Sequence, residues 1–455
     1  MEVDVIMKRK LYNKLIEWKK NSNGTTALVI DGARRVGKSY IVEQFAQENY
    51  KSYIILDFNI VPKDVKELFE NYLNDIDTLF MYLSNYYNIK LYNRETLIIF
   101  DEVQLYPRAR SAIKYLVKDG RYDYIETGLL MSIKKNTKDI LIPSEEQHIE
   151  MYPMDFEEFM WALGNENIIE LVKKHYEEKK PLGQAMHRKV MDYFRQYMIV
   201  GGMPQAVQEY VASKDFTRVD QIKRNILKLY RQDIGKHAEN YQLKVESIFD
   251  EIPAQLQKHD KKFKISSLKK DARFREYEDA MFWLKDAMII SPCYNSTEPN
   301  IGLKLNTNFM TLKCYMADTG LLISHSFDEN GIMSEEIYKK ILFDKLEFNE
   351  GMIIENIVSQ MLVAAGHKLY FYSKSSKNSA DRMEIDFLIA KSKITNKHNI
   401  SAIEVKSGKN YTISSLKKFI NKYKEYLHVP YVLHTGDLKE ENGIIYLPLY
   451  MTPLL

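Results

Sequence analysis

Cysteine is almost missing from this chain. Only Cys293 and Cys314 are present, which excludes a disulfide framework and a four-thiolate zinc site and agrees with a reducing compartment. Long apolar runs are missing too: no stretch offers the roughly eighteen uncharged apolar residues that a membrane crossing needs. An excess of one charge sign is also lacking. The 65 basic and 62 acidic residues leave a formal charge of +3, so any basic surface must be local. Met1 to Lys10 carries acidic residues early and no apolar core, unlike a signal peptide. The expectation is a cytoplasmic protein with no membrane contact. The 32 tyrosines beside three tryptophans fit a Lys- and Asn-rich coding style and carry no functional weight.

What is present is ordinary globular material in quantity. An apolar fraction of 45% and a charged fraction of 28% argue against disorder. At 455 residues the chain exceeds a single hydrophobic core and should hold several domains.

The most informative motif is Gly32, Ala33, Arg34, Arg35, Val36, Gly37, Lys38 and Ser39, followed by Tyr40. It matches G-x-x-x-x-G-K-[ST]. The apolar run Ala27 to Ile30 before it and a helix-compatible segment after it supply the strand-loop-helix setting in which backbone N–H groups cradle phosphates. Lys38 would reach the β and γ phosphates of ATP, and the Ser39 hydroxyl would join a Mg2+ shell. A second run, Thr96 to Phe100, ends in Asp101 and Glu102. Asp101 would hold the same magnesium, and Glu102 would orient the attacking water. Strands over 53–56 and 122–125 complete a βαβ pattern for an open parallel sheet. Thr127, after the last of these, is a candidate sensor of the γ-phosphate or holder of the lytic water; a threonine in an ordinary turn is the competing reading. Arg34 and Arg35 inside the loop, or Arg108 and Arg110 after the second run, are candidates to serve a neighbouring subunit as an arginine finger; a solvated or structural arginine is the competing reading of each.

Residues 166–240 read as helical, interrupted by the turn signal Gly201-Gly202-Met203-Pro204. From Lys258 to Arg275 the chain is dense in Lys and Arg, and the following segment has apolar residues at helical spacing. With strand-like pieces near Ile290 and Leu312, this reads as a winged-helix-like segment. It would either set Arg273, Arg275 and neighbouring lysines on DNA phosphates or pack against protein, since Asp271, Glu276, Glu278 and Asp279 dilute its charge.

Near the C-terminus, Met383 to Ile389 and Ala402 to Lys406 alternate polar and apolar residues. Period two sends Glu384 and Asp386 to one face, with Ile385 and Phe387 opposite, and pairs Glu404 with Lys406. An Asp followed on the next strand by Glu-x-Lys is the PD-(D/E)xK pattern, in which two carboxylates hold magnesium against a scissile phosphate and the lysine stabilises developing charge. Asp386, Glu404 and Lys406 are the candidate catalytic groups. Glu355, on the preceding helical segment, fits the additional acidic position that many proteins with this pattern carry, and is a further candidate metal ligand beside Asp386 and Glu404. The plainer reading is an exposed sheet face with a Glu404–Lys406 pair of little energetic value. Helix 351–365, strands near 369–372, 383–389 and 402–406, helix 414–426 and a strand at 431–433 would form an αβββαβ core.

Taken together, Gly32 to Ser39, Leu97 to Gln104, Tyr152 to Phe159 and Gly201 to Pro204 resemble a bacterial and archaeal family of AAA-type ATPases fused to a restriction-endonuclease-like domain. The resemblance spans nearly the whole chain. It implies an α/β P-loop core over 1–165, a helical lid over 166–240, a winged-helix-like segment over 241–328 and a nuclease-like domain over 329–455. The chain departs from the family pattern at Gly128-Leu129 and over Ser144 to Glu150. The leading expectation is an ATP-hydrolysing enzyme using ATP and Mg2+, coupled to a nuclease-like domain that acts on DNA. The alternative is a nucleotide-gated module that binds DNA or protein through a catalytically silent C-terminal domain. A homo-oligomer is compatible with either.

Overall fold

A computed structural model describes residues 7–129, 143–300, 302–327, 331, 333–342, 350–376, 378, 382–391, 397–408 and 410–455. Two compact units emerge, one built mainly from Lys8–Tyr152 and the other from Pro153–Lys285 with Ile289–Leu455.

In the first unit, five strands form one sheet: β1 (Ala27–Gly32), β2 (Ser52–Asp57), β3 (Thr96–Asp101), β4 (Asp123–Gly128) and β5 (Glu146–Met151). Their order is β2-β3-β4-β1-β5, and every pairing is parallel. Parallel strands need both faces covered, which explains their continuous apolar runs. One face packs Leu28, Ile30, Ile99 and Ile125 against α1 (Leu11–Ser22) and α2 (Lys38–Asn49), with Trp18 and Phe45 at the centre. The other packs Val29, Leu56, Phe100 and Tyr124 against α3 (Lys63–Asn71), α4 (Ile76–Tyr87) and α5 (Pro107–Asp119). Burying each large side chain contributes about 1.5–3 kcal/mol relative to leaving it exposed. β5 was not foreseen. It is an edge strand whose residues Glu146, Gln147, His148 and Glu150 are polar, so it lacks the apolar signature of its neighbours.

The second unit opens with helices and continues into a mixed sheet. Helix Gln184–Val200 stops at Gly201, and helix Pro204–Ser213 begins at a proline in its first turn, where a missing N–H costs nothing. Gly202 is required by close approach: a Cβ there would run into the backbone of Met154, whose N–H donates to the Gly202 carbonyl at 2.7 Å. The buried Asp318 carboxylate accepts from the Gly202 N–H at 2.5 Å and from the Leu321 N–H at 2.8 Å. Gly202→Ala is therefore expected to cost roughly 3 kcal/mol through overpacking. A urea-unfolding midpoint equal to wild type would contradict this packing.

The mixed sheet has eight strands in the order β12-β13-β11-β10-β9-β8-β6-β7. They are β6 (Ile290–Ser296), β7 (Thr307–Met316), β8 (Tyr370–Lys374), β9 (Met383–Ala390), β10 (Ile400–Val405), β11 (Tyr431–His434), β12 (Lys439–Glu441) and β13 (Ile444–Pro448). Helix Glu350–Ala364, β8, β9, β10, helix Ser414–Tyr423 and β11 follow the αβββαβ order expected from the sequence. β6 and β7, read from sequence as part of the winged-helix-like segment, pair onto β8 and belong to this same sheet. Leu416, Phe419 and Tyr423 pack over Ile385, Leu388 and Ala402. Ile385 and Leu388 are three residues apart, and the β8–β9 register shifts beside them. The strict alternation expected along 383–389 is broken there, and the Phe387 ring lies against Tyr315 at 5.5 Å.

Candidate nucleotide site and C-terminal carboxylate site

The loop Gly32 to Ser39 leaves β1 and runs into α2. Arg35 (φ 68°) and Gly37 (φ 99°) are left-handed, the backbone geometry that turns successive N–H groups toward an anion. Gly32 is needed for another reason: a Cβ there would sit 2.7 Å from the Met151 carbonyl oxygen. Lys38 is buried and its ammonium donates to the carbonyls of Gly32 (2.7 Å) and Ala33 (3.1 Å). Burial lowers its pKa, opposed by the negative charges of Glu102, Asp101 and Asp31. Arg34 is half-buried, while Arg35 and Tyr40 are exposed.

The carboxyl ends of β1, β3 and β4 bring the remaining groups together. Ser39 Oγ donates to Asp101 at 2.9 and 3.0 Å. Thr127, fully buried at the end of β4, donates its hydroxyl to the same carboxylate. Adjacency of β3 and β4, with Phe100 opposite Glu126, is what places Thr127 beside Asp101. Glu102 is held at φ 53°, an unusual value for a non-glycine residue and one that marks constrained functional positions. Gln104 Nε2 donates to it at 2.6 Å. The donor set of Ser39, Asp101 and Thr127 is all oxygen, which suits a hard cation such as magnesium.

Sequence reasoning missed three supporting residues. Arg9 is buried and donates to the Val36 carbonyl at 2.9 Å and to the Tyr152 carbonyl at 2.6 Å, bracing the loop from 27 positions upstream. No motif announces it. His148, on the unforeseen β5, contacts Asp31 at 2.9 Å and Glu146 at 3.3 Å. Hydrogen bonding to those carboxylates pushes its pKa up to about 9. Glu126 is fully buried, and burial pushes its pKa well above the usual carboxylate range.

One of the arginines considered for a neighbouring subunit is committed elsewhere. Arg110 Nε and Nη2 donate to the two Glu146 oxygens at 3.1 and 2.8 Å, and the side chains are 4% and 1% exposed. A buried pair inside its own unit cannot reach across to another subunit. Arg108 is exposed.

In the second unit the predicted C-terminal residues are distributed over two sets of partners. Glu404 is buried; its carboxylate accepts from the Leu416 N–H at 3.2 Å and lies 2.6 Å from Lys406 Nζ. Asp386 accepts from the Val405 N–H at 2.8 Å. Burial first, then the negative charge of Glu355, pushes its pKa up to about 6, against the pull of Lys313. Glu355 accepts from the Tyr315 hydroxyl at 3.0 Å and pairs with Lys261. Lys313 Nζ lies 3.7 Å from Glu355 and 3.6 Å from Asp386. Lys313 was absent from the sequence reading, and Lys261 entered it only as part of the basic stretch Lys258 to Arg275, because no spacing connects either to Asp386. Among the described residues, no group of three or more His, Cys, Asp or Glu side chains converges so as to hold a metal ion.

Comparison with known proteins assigns the first unit. Residues 24–160 match the family model described as an AAA domain. Lys8–Tyr152 holds an AAA-type P-loop domain. Its parallel sheet flanked by helices is the P-loop NTPase fold, and nucleotide binding follows from that assignment. Residues 191–330 and 350–451 match two domains of unknown function, DUF8612 and DUF4143. Among solved structures, a Walker-type ATPase of Pyrococcus abyssi is similar at 16% identity over 70% of this chain and 96% of that one, with a TM-score of 0.40. The Orc1 protein of Aeropyrum pernix, solved in complex with DNA, is similar at 10% identity over 73% and 96%, with a TM-score of 0.26. Cdc6p of Pyrobaculum aerophilum is similar at 10% identity over 74% and 93%, with a TM-score of 0.24. No curated protein matches the chain. Among the described residues, no helix is long and apolar enough to cross a membrane.

Proposed function

We propose that the chain hydrolyses ATP with magnesium and uses the cycle to set how residues 153–455 engage DNA, through a C-terminal domain that recognises rather than cuts. The observation that carries the first half is the meeting of Ser39, Asp101 and Thr127 beside Glu102. In this reading Lys38 leaves the loop carbonyls for the phosphates, and Ser39 and Asp101 hold the metal. Glu102, kept in place by Gln104, aligns the water, and Thr127 senses the γ-phosphate. Bound magnesium would neutralise charge on the phosphate oxygens as the bond to the leaving group breaks. The helical segment 166–240 and the basic stretch that follows it would pass the nucleotide state to the mixed sheet, which includes β6 and β7.

The DNA half is supported by a row of exposed cations, Lys264, Lys269, Lys270, Arg273 and Arg275. If these lie on phosphates, changing the three lysines to glutamine should weaken binding and flatten the plot of log affinity against log salt by roughly 0.9 per lost contact. An unchanged slope would point to a protein partner instead. Incubating labelled single- and double-stranded DNA with magnesium or manganese, with and without ATP, tests the last part. Retention without cleavage is expected; cleavage that disappears in Asp386→Ala would replace recognition by an ATP-controlled nuclease.

A further inference from the structure

Lys313 is the least expected residue of the C-terminal unit. It lies on β7, outside the αβββαβ succession, and is only 1% exposed. Its ammonium stands 3.1 Å from Glu384, 3.6 Å from Asp386 and 3.7 Å from Glu355. The ring of Phe371 lies 5.3 Å away. Two more lysines close the group: Lys261 pairs with Glu355 and donates to the Gly351 carbonyl at 3.3 Å, and Lys262 reaches Glu384 at 3.8 Å. Three ammonium groups thus face three carboxylates.

The carboxylates that the PD-(D/E)xK reading offers to a metal are therefore already neutralised from within. A divalent ion bound to Asp386 and Glu355 would need their oxygens at about 2.0–2.6 Å. Lys313, within 4 Å of both and itself buried, would then be pressed against a dication where repulsion is less screened than in water. Moving the lysine away would leave a buried ammonium without its partners, which is strongly unfavourable. The donor set does not fit a metal while Lys313 is in place.

We propose that Lys313 is an internal counter-cation standing where the carboxylates Glu355 and Asp386 would otherwise bind a divalent metal, so that the C-terminal site is metal-free as folded and carries a latent metal site beneath the lysine. The proposal deepens the recognition reading of the C-terminal domain and is independent of ATP hydrolysis.

Manganese titration of the full chain without nucleotide, followed by electron paramagnetic resonance, tests it. Wild type, Asp386→Asn, Lys313→Met and the double variant should be compared; ions held at the P-loop are common to all four and cancel. Wild type and Asp386→Asn should bind equal numbers of ions. Lys313→Met should gain one ion per chain, and the double variant should lose it again. An ion present in wild type and missing in Asp386→Asn overturns the proposal, whether or not DNA is cut. So does a Lys313→Met protein with wild-type circular dichroism that gains no ion. Should Lys313→Met fail to fold, the wild-type and Asp386→Asn pair still decides. An ion held at Asp386 without DNA cleavage overturns only this proposal, whereas DNA cleavage with no ion at Asp386 overturns only the recognition reading, so the two fail separately.

Discussion

Glu102→Gln is expected to leave ATP bound while slowing its turnover by about two to four orders of magnitude, the usual range for removing a positioned general base. The amide keeps the shape of the carboxylate and a hydrogen-bond partner for Gln104 but cannot draw a proton from water. Lys38→Ala should act one step earlier. That ammonium is buried and aimed along the loop, so its loss leaves the carbonyls of Gly32 and Ala33 without their donor and the phosphates without their cation. Nucleotide affinity should fall steeply, and turnover with it. Equilibrium binding of a fluorescent ATP analogue and phosphate release, measured on both variants, separate the two effects. Tight binding with wild-type turnover in both would sink the assignment of this site.

The second large effect concerns stability. Arg110→Ala should destabilise the AAA-type domain by roughly 3 kcal/mol, because it leaves the buried Glu146 carboxylate with His148, at 3.3 Å, in place of its bidentate guanidinium partner. Replacing both partners by apolar residues, as in Arg110→Met with Glu146→Leu, should recover most of that loss. Calorimetry reads this directly, and the transition belonging to the nucleotide-binding domain is the one that ATP shifts upward. A single variant with wild-type stability but no ATP turnover would restore Arg110 as a residue acting on nucleotide, against its present burial with Glu146.

The two halves of the chain differ in how far their residue order reveals their sites. Around the P-loop the chemistry is local: Gly32, Gly37, Lys38 and Ser39 lie within eight positions, and Asp101 ends an apolar strand. Parallel strand pairing then has only one way to set Thr127 beside Asp101, namely β4 next to β3. Arg9 escaped notice because it acts through backbone carbonyls, which accept a donor from any direction in the sequence. β5 escaped because an edge strand can be polar and still pair.

The sequence by itself determined the P-loop, the Asp101-Glu102 pair, the parallel α/β core and the succession of elements from helix Glu350–Ala364 to β11. Each rests on periodicity or on spacing within one or two elements. Only the tertiary structure decided the electrostatics of the C-terminal carboxylates. Asp386, Glu355, Lys261 and Lys313 come from four separate segments, and the pairing of β6 and β7 onto β8 is what delivers Lys313 to them. A motif records which acids a strand carries. It cannot record which cation a distant strand will bring against them, because that depends on sheet order, and a buried charge responds to neighbours in space.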